Sequence, residues 1–183
     1  MSIHLILLCH AATRAMREGA FPGHDDPIDG GGLTKTQALR MERRDCLTSP
    51  SLAARQTADA LGIMAKTDIA LRDMDHGDWA GRALGDLHAD SPDFFANWMA
   101  DPASGAPGGE SLATVRDRMA DWLADQCAGG EDRLAITHPM VIRATIAAAL
   151  DIPPEATLRI DIAPLSQVHL SWNRVWRLQA ITS

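Results

Sequence analysis

The chain has no run of lysine and arginine, no C-x-x-C pair and no apolar stretch long enough to cross a bilayer. Each absence removes a class of function. Without a basic footprint, and with a formal charge of −7, a nucleic-acid or anionic-membrane surface is excluded, because both demand clustered cations. The expected partner is a small-molecule substrate; no nucleic acid and no membrane are expected, and a homo-oligomer is left open. Three cysteines, Cys9, Cys46 and Cys127, are odd in number and widely spaced. They suggest neither a disulfide framework nor a zinc knuckle, which fits a reducing cytoplasm. The opening "MSIHLILLCH" is apolar for too few residues and has neither a basic leader nor a small-residue cleavage site, so it reads as a first strand in a cytoplasmic protein. There is no internal repeat and no low-complexity tract.

What is present is an ordinary globular composition, 46% hydrophobic and 22% charged over 183 residues. That length suits one domain, 1–183, with a sizeable core. Apolar runs bounded by turn residues stand at Ile3–Cys9 and Leu134–Thr137, with shorter ones at Asp45–Thr48 and Asp68–Leu71. Helical patterns lie between them at Thr34–Arg44, Leu52–Leu61, Ser111–Cys127 and Met140–Leu150. Alternation of strand and helix predicts an α/β fold, three layers in an α/β/α arrangement with a largely parallel central sheet. At the end, alternating residues on either side of Trp172-Asn173-Arg174 predict a β-hairpin at one sheet edge. Residues 88–110 mix aromatics with proline and glycine and read as an insertion covering the crevice, with a short helix near Pro92–Met99. Met74, Phe94, Phe95, Trp98 and Met99 could wall an apolar pocket there, although core packing is the default for each.

Two histidines share a context. His10 ends the first apolar run, and His138 ends a second in "RLAITHPMVIRATIAAAL". In open α/β sheets the crevice lies outside the carboxyl ends of the strands, so neighbouring parallel strands would bring both imidazoles to one place. A lone histidine in either position would more often be a core or surface residue; the repeated context favours a site.

Four blocks in order resemble the histidine phosphatase superfamily, the phosphoglycerate mutase-like phosphatases and mutases. "LLCHAAT" stands where that family has Arg-His-Gly, and "TSPSLAARQTADALG" where it has Ser-Pro, an arginine and Gln-Thr-Ala. "LRDMDHGDWAG" stands where it has a glutamate followed by Gly-x-Trp and Gly, and "PGGES" with "ITHPMVIR" where it has Gly-Gly-Glu-Ser and the second histidine. The resemblance implies a phosphoglycerate mutase-like fold and a hydrolase acting on a small phosphomonoester without a cofactor. His10 would be the nucleophile that forms a phosphohistidine, and His138 would donate to the phosphoryl oxygens. Asp73 would be the general acid, one methylene shorter than the family's glutamate. Thr13, Arg14, Gln56 and Cys9 would be the substrate-binding set.

The departures bear on chemistry. Cys9 and Ala53 occupy the positions of two family arginines that bind the phosphoryl group, and neither a thiol nor a methyl imitates a bidentate guanidinium. Arg55 is about 200° from Ala53 on a helix and should point elsewhere. Arg14 and Arg143 read as surface or ion-pair arginines, and Cys9 as a small apolar strand residue. Turnover on generic phosphomonoesters should therefore be weak. An alternative keeps the fold for acid/base chemistry on a phosphate-free metabolite, as an isomerase, cyclase or dehydratase; a non-catalytic binding protein is the third reading. Asp73, Asp75, His76 and Asp78 lack the glycine placement and terminal glutamate of a calcium loop and any i,i+4 histidine pair, so no metal is required.

Overall fold

In the computed structural model, which describes residues 2–23, 25–41 and 44–183, the first strand sets the architecture. β1 (Ile3–Cys9) directs Leu5, Leu7 and Cys9 to one apolar cluster and Ile6 and Leu8 to another. A strand apolar on both faces must be covered on both. The other strands are β2 (Asp45–Thr48), β3 (Ala65–Thr67), β4 (Arg133–Thr137), β5 (Gln167–Asn173) and β6 (Val175–Thr182). They form one six-stranded sheet ordered β3-β2-β4-β1-β5-β6. The first four named in that order run parallel, and β5 and β6 add an antiparallel edge. The hairpin between them turns at Arg174, whose φ is 66°.

The helices are α1 (Arg14–Glu18), α2 (Gly30–Ala38), α3 (Leu52–Ala60), α4 (Leu84–Asp90), α5 (Pro92–Ala100), α6 (Leu112–Gly129) and α7 (Pro139–Leu150). α6 and α7 cover one sheet face with residues including Val115, Met119, Trp122, Ile142 and Ile146. α3 covers the other with Ala54 and Ala58. The result is the expected three-layer α/β fold. No helix among the described residues is long and apolar enough to cross a membrane.

Two elements differ from expectation. The helix placed at Thr34–Arg44 begins earlier and ends at Ala38; Glu42 and Arg43, within the expected span, lie outside the described residues. Its start is set by Asp29, whose carboxylate caps the Gly32 amide at 2.6 Å, the bond that makes aspartate a favoured N-cap. Gly32 also has to be glycine, since a Cβ there would lie 2.7 Å from the Ala12 carbonyl oxygen. The strand expected at Asp68–Leu71 is a 3-10 turn, Ile69–Leu71. Asp68 turns the chain by accepting from the Ala70 amide at 2.9 Å, and its other oxygen takes the Trp122 indole N–H at 2.8 Å. The edge strand is Ala65–Thr67 instead.

Within 88–110, α5 takes the place of the expected short helix. Phe95 and Trp98 pack with Phe21, Trp79, Leu87 and Ala106 in a small separate cluster. Met99 is exposed, and Met74 both belongs to the main core and lines the crevice cavity; the side chain of Phe94 lies outside the described residues.

Candidate active site

β1 and β4 pair in register, with Cys9 opposite Thr137. The residues that follow therefore leave the sheet side by side. The His10 amide still bonds the Thr137 carbonyl at 2.9 Å, and His138 forms the N-cap of α7, with Pro139 at the first helical position, where a missing N–H costs nothing. The two imidazoles, both buried, lie with ring centroids 5.0 Å apart in a T-shaped arrangement.

Hydrogen-bond partners assign the tautomers. His10 Nδ1 lies 2.7 Å from the Ala11 carbonyl oxygen and so carries the proton, which leaves a lone pair on Nε2. The Ala11 amide is held by Thr57 Oγ1 at 3.0 Å. His138 Nε2 faces two hydroxyls, Ser49 Oγ at 2.7 Å and Ser51 Oγ at 3.3 Å. Asp73 Oδ2 lies 3.2 Å from His138 Nδ1 but off the N–H axis, so the contact is chiefly electrostatic.

Asp73 belongs to a separate wall. Thr137 Oγ1 donates to the Leu71 carbonyl at 2.8 Å, and beyond it Glu110 gathers the chain. One Glu110 oxygen takes Arg72 Nη2 at 2.8 Å; the other takes Arg118 Nη2 at 3.2 Å and the Asp75 amide at 3.0 Å. The fit is close enough that a Cβ on Gly109 would lie 2.4 Å from the Asp75 carbonyl oxygen. Gly109→Ala is accordingly expected to destabilise the fold by about 1–3 kcal/mol through overpacking. Urea denaturation would show the loss as a lowered midpoint; an unchanged midpoint would mean that the wall is compliant.

Burial, with the neighbouring His138 second, lowers the His10 pKa to about 4. His10 is therefore a neutral imidazole at neutral pH, the form with a free lone pair. For Asp73 burial alone would raise the carboxyl, but the His138 charge and contact outweigh it and hold it below the usual carboxylate range. Burial and then Asp73 push the Cys9 thiol up to about 12, which makes it inert.

The lowered His10 value has a consequence for stability. The unfolded chain takes up a proton near pH 6.5 that the folded chain refuses until about 4. Stability contributed by neutral His10 is complete above about pH 6.5 and is lost as the pH falls toward 4, with about 2 kcal/mol gone by pH 5. Denaturation of wild type and His10→Gln at pH 7 and pH 5 checks this: the wild type should lose more. Equal losses would contradict the assignment.

The crevice is a cavity of about 430 Å³ reached by His10, His138, Thr13, Ser51, Ala53 and Asp73. Of the expected binding set only Thr13 lines it, and its hydroxyl also caps α1. Arg14 is solvent-exposed and pairs with Glu18 at 2.6 Å. Gln56 accepts from the Ile28 amide at 2.9 Å and so braces the loop before α2. Cys9 points into the core beneath α6 and α7, and Arg143 is occupied by the Ile160 carbonyl at 3.0 Å. Asp75 and His76 line the cavity together with Asp26. Among the described residues, no group of three His, Cys, Asp or Glu is disposed to hold a metal ion.

Arg72 is the residue that reading the sequence missed. It is the one arginine or lysine lining the cavity among the described residues. The signal was its place next to Asp73 in "LRDMD", but only the tertiary structure tells which way it faces.

A model of the histidine phosphatase superfamily (branch 1) matches residues 5–181. The chain belongs to the histidine phosphatase superfamily. It is 27% identical to phosphoserine phosphatase 1 of Hydrogenobacter thermophilus over 94% of this chain and 89% of that protein. Among solved structures, the alpha-ribazole phosphatase of Shigella flexneri superposes with a TM-score of 0.87 at 21% identity, covering 99% of this chain and 96% of the other. A mycobacterial glucosyl-3-phosphoglycerate phosphatase superposes at 0.83 and 23%, covering 97% of each. At family level the chain is a phosphatase-like hydrolase.

Proposed function

We propose that this protein hydrolyses a small phosphomonoester through a phosphohistidine on His10, with low turnover on generic substrates. The carrying observation is the buried pair of imidazoles at 5.0 Å, with His10 Nδ1 tied to the Ala11 carbonyl and Nε2 left free. His10 Nε2 attacks phosphorus in line; Asp73, held as a carboxylate beside His138, serves as general acid by relaying to the leaving oxygen a proton that it first takes up from solvent, and water then cleaves the phosphohistidine, so that one hard displacement becomes two easier ones. His138, when it carries both ring protons, donates from Nε2 to the phosphoryl oxygens as their charge develops. Arg72 supplies a cation: Glu110 keeps Arg118 and the Asp75 amide when Arg72 turns toward substrate.

In this reading residues 1–183 act as one domain in the cytoplasm, and 88–110 shield the crevice from behind its rim through the contact of Trp98 with Phe21. A second reading, acid/base chemistry on a phosphate-free metabolite, is supported by Cys9 and Ala53, which the motif resemblance sets opposite two family arginines, and by three aspartates in the lining. Rapid alkaline quenching during turnover of a phosphomonoester, followed by mass spectrometry, separates the two. A phosphorylated His10 peptide is expected; its absence during measurable turnover would overturn the first reading.

A further inference from the structure

His138 does more than face His10. Its Nε2 accepts from hydroxyls while its Nδ1 faces a carboxylate, so Ser51, His138 and Asp73 stand in the relation of nucleophile, base and orienting acid. We infer that the crevice has a second, carboxylic-ester-hydrolysing activity, with Ser51 as the nucleophile and His138 as its general base.

Ser49 makes the shorter contact at 2.7 Å but is fully buried; it fixes the ring plane. Both serines line the cavity, and Ser51, unlike Ser49, is partly exposed. Its 3.3 Å separation from Nε2 is in the range that tightens when substrate binds. Ser51 is also the N-cap of α3, so the first-turn amides of a nine-residue helix, which have no carbonyl partner within it, open beside it. Ala53 leaves that space free, because a methyl group stands there. The Leu52 amide, on the residue after the nucleophile, is where an oxyanion donor is wanted.

The step balances without any co-reactant but water. Ser51 Oγ bonds to the carbonyl carbon and its proton passes to His138 Nε2. The tetrahedral oxyanion collapses, the ester C–O bond breaks and the alkoxide leaves with that proton. Water then attacks the acyl-serine, gives a proton to His138 and restores Ser51. Asp73 keeps the other imidazole proton on Nδ1 and stabilises the transient imidazolium. The lining selects the substrate class. Asp26, Asp73 and Asp75 outnumber Arg72, so for this second activity a neutral small ester or lactone fits better than an anionic ester.

The test treats the full chain with p-nitrophenyl acetate, quenches it in acid and maps the acetyl group by mass spectrometry. An acetyl group on Ser51 is expected, with a burst of nitrophenol. Ser51→Asn keeps an N-cap acceptor for the Ala54 amide and removes the nucleophile; it should cut the burst on the order of a hundredfold or more. His138→Gln should do the same. Acetyl on His10 alone, acetyl nowhere, or an undiminished burst in Ser51→Asn would each overturn the inference. These outcomes are independent of whether a phosphohistidine forms on His10, so either proposal can fail alone.

Discussion

His10→Ala is expected to lower phosphomonoester turnover by at least about a thousandfold, because it removes the atom that bonds to phosphorus. The substitution leaves the β1 and β4 pairing intact, since the backbone amide of residue 10 makes the bond to Thr137. It also removes the ring that lies against His138, so folding is checked first by circular dichroism. A stopped assay with an aromatic phosphomonoester then reads the loss. Turnover that survived in a folded variant would show that His10 is not the nucleophile and would move attention to water activated within the crevice.

Ala53→Arg is expected to act in the opposite direction, raising kcat/KM for phosphomonoesters about a hundredfold, the equivalent of one preorganised charge contact to the transferring group. Ala53 lines the cavity in the first turn of α3, so a side chain there starts beside the histidines. A cation in a first helical turn costs about 0.3–1 kcal/mol against the helix dipole, which a small fall in Tm would register. Cys9→Arg offers no such gain, because Cys9 is fully buried in the core and a guanidinium there would lack partners. An Ala53→Arg variant that folds and shows no gain would mean that substrate does not present its phosphoryl group to this helix.

The parts of the molecule legible in the sequence are those where local pattern and tertiary role coincide. Ile3–Cys9 is apolar at every position but His4 and can be little else than a strand covered on both faces. The shared strand–histidine context of His10 and His138 sufficed to place them together, because parallel neighbours in register have one possible outcome at their ends. What stayed hidden depends on partners remote in the chain. Gln56, expected to bind substrate, is claimed by the Ile28 amide; Arg72 could have faced solvent, and Glu110, 38 residues away, holds it at the cavity. The early start of α2 stayed hidden likewise, because the reason for a glycine at 32, the Ala12 carbonyl against it, is a contact and not a propensity.

The separate anchoring of the two sides of the crevice divides the labour of evolution. Ladder bonds between β1 and β4 hold the histidines, whereas the side bearing Arg72, Asp73, Asp75 and His76 hangs from the Glu110 carboxylate, from Arg118, which donates to the Arg72 carbonyl at 2.9 Å, and from a glycine-tight seam at Gly77 and Gly109. Residues 72–81 and 105–110 therefore form an exchangeable cassette. Grafted together from a relative, they would bring a new acid and new selectivity to an unaltered nucleophile; grafted singly, each would arrive without the backbone groove into which it fits.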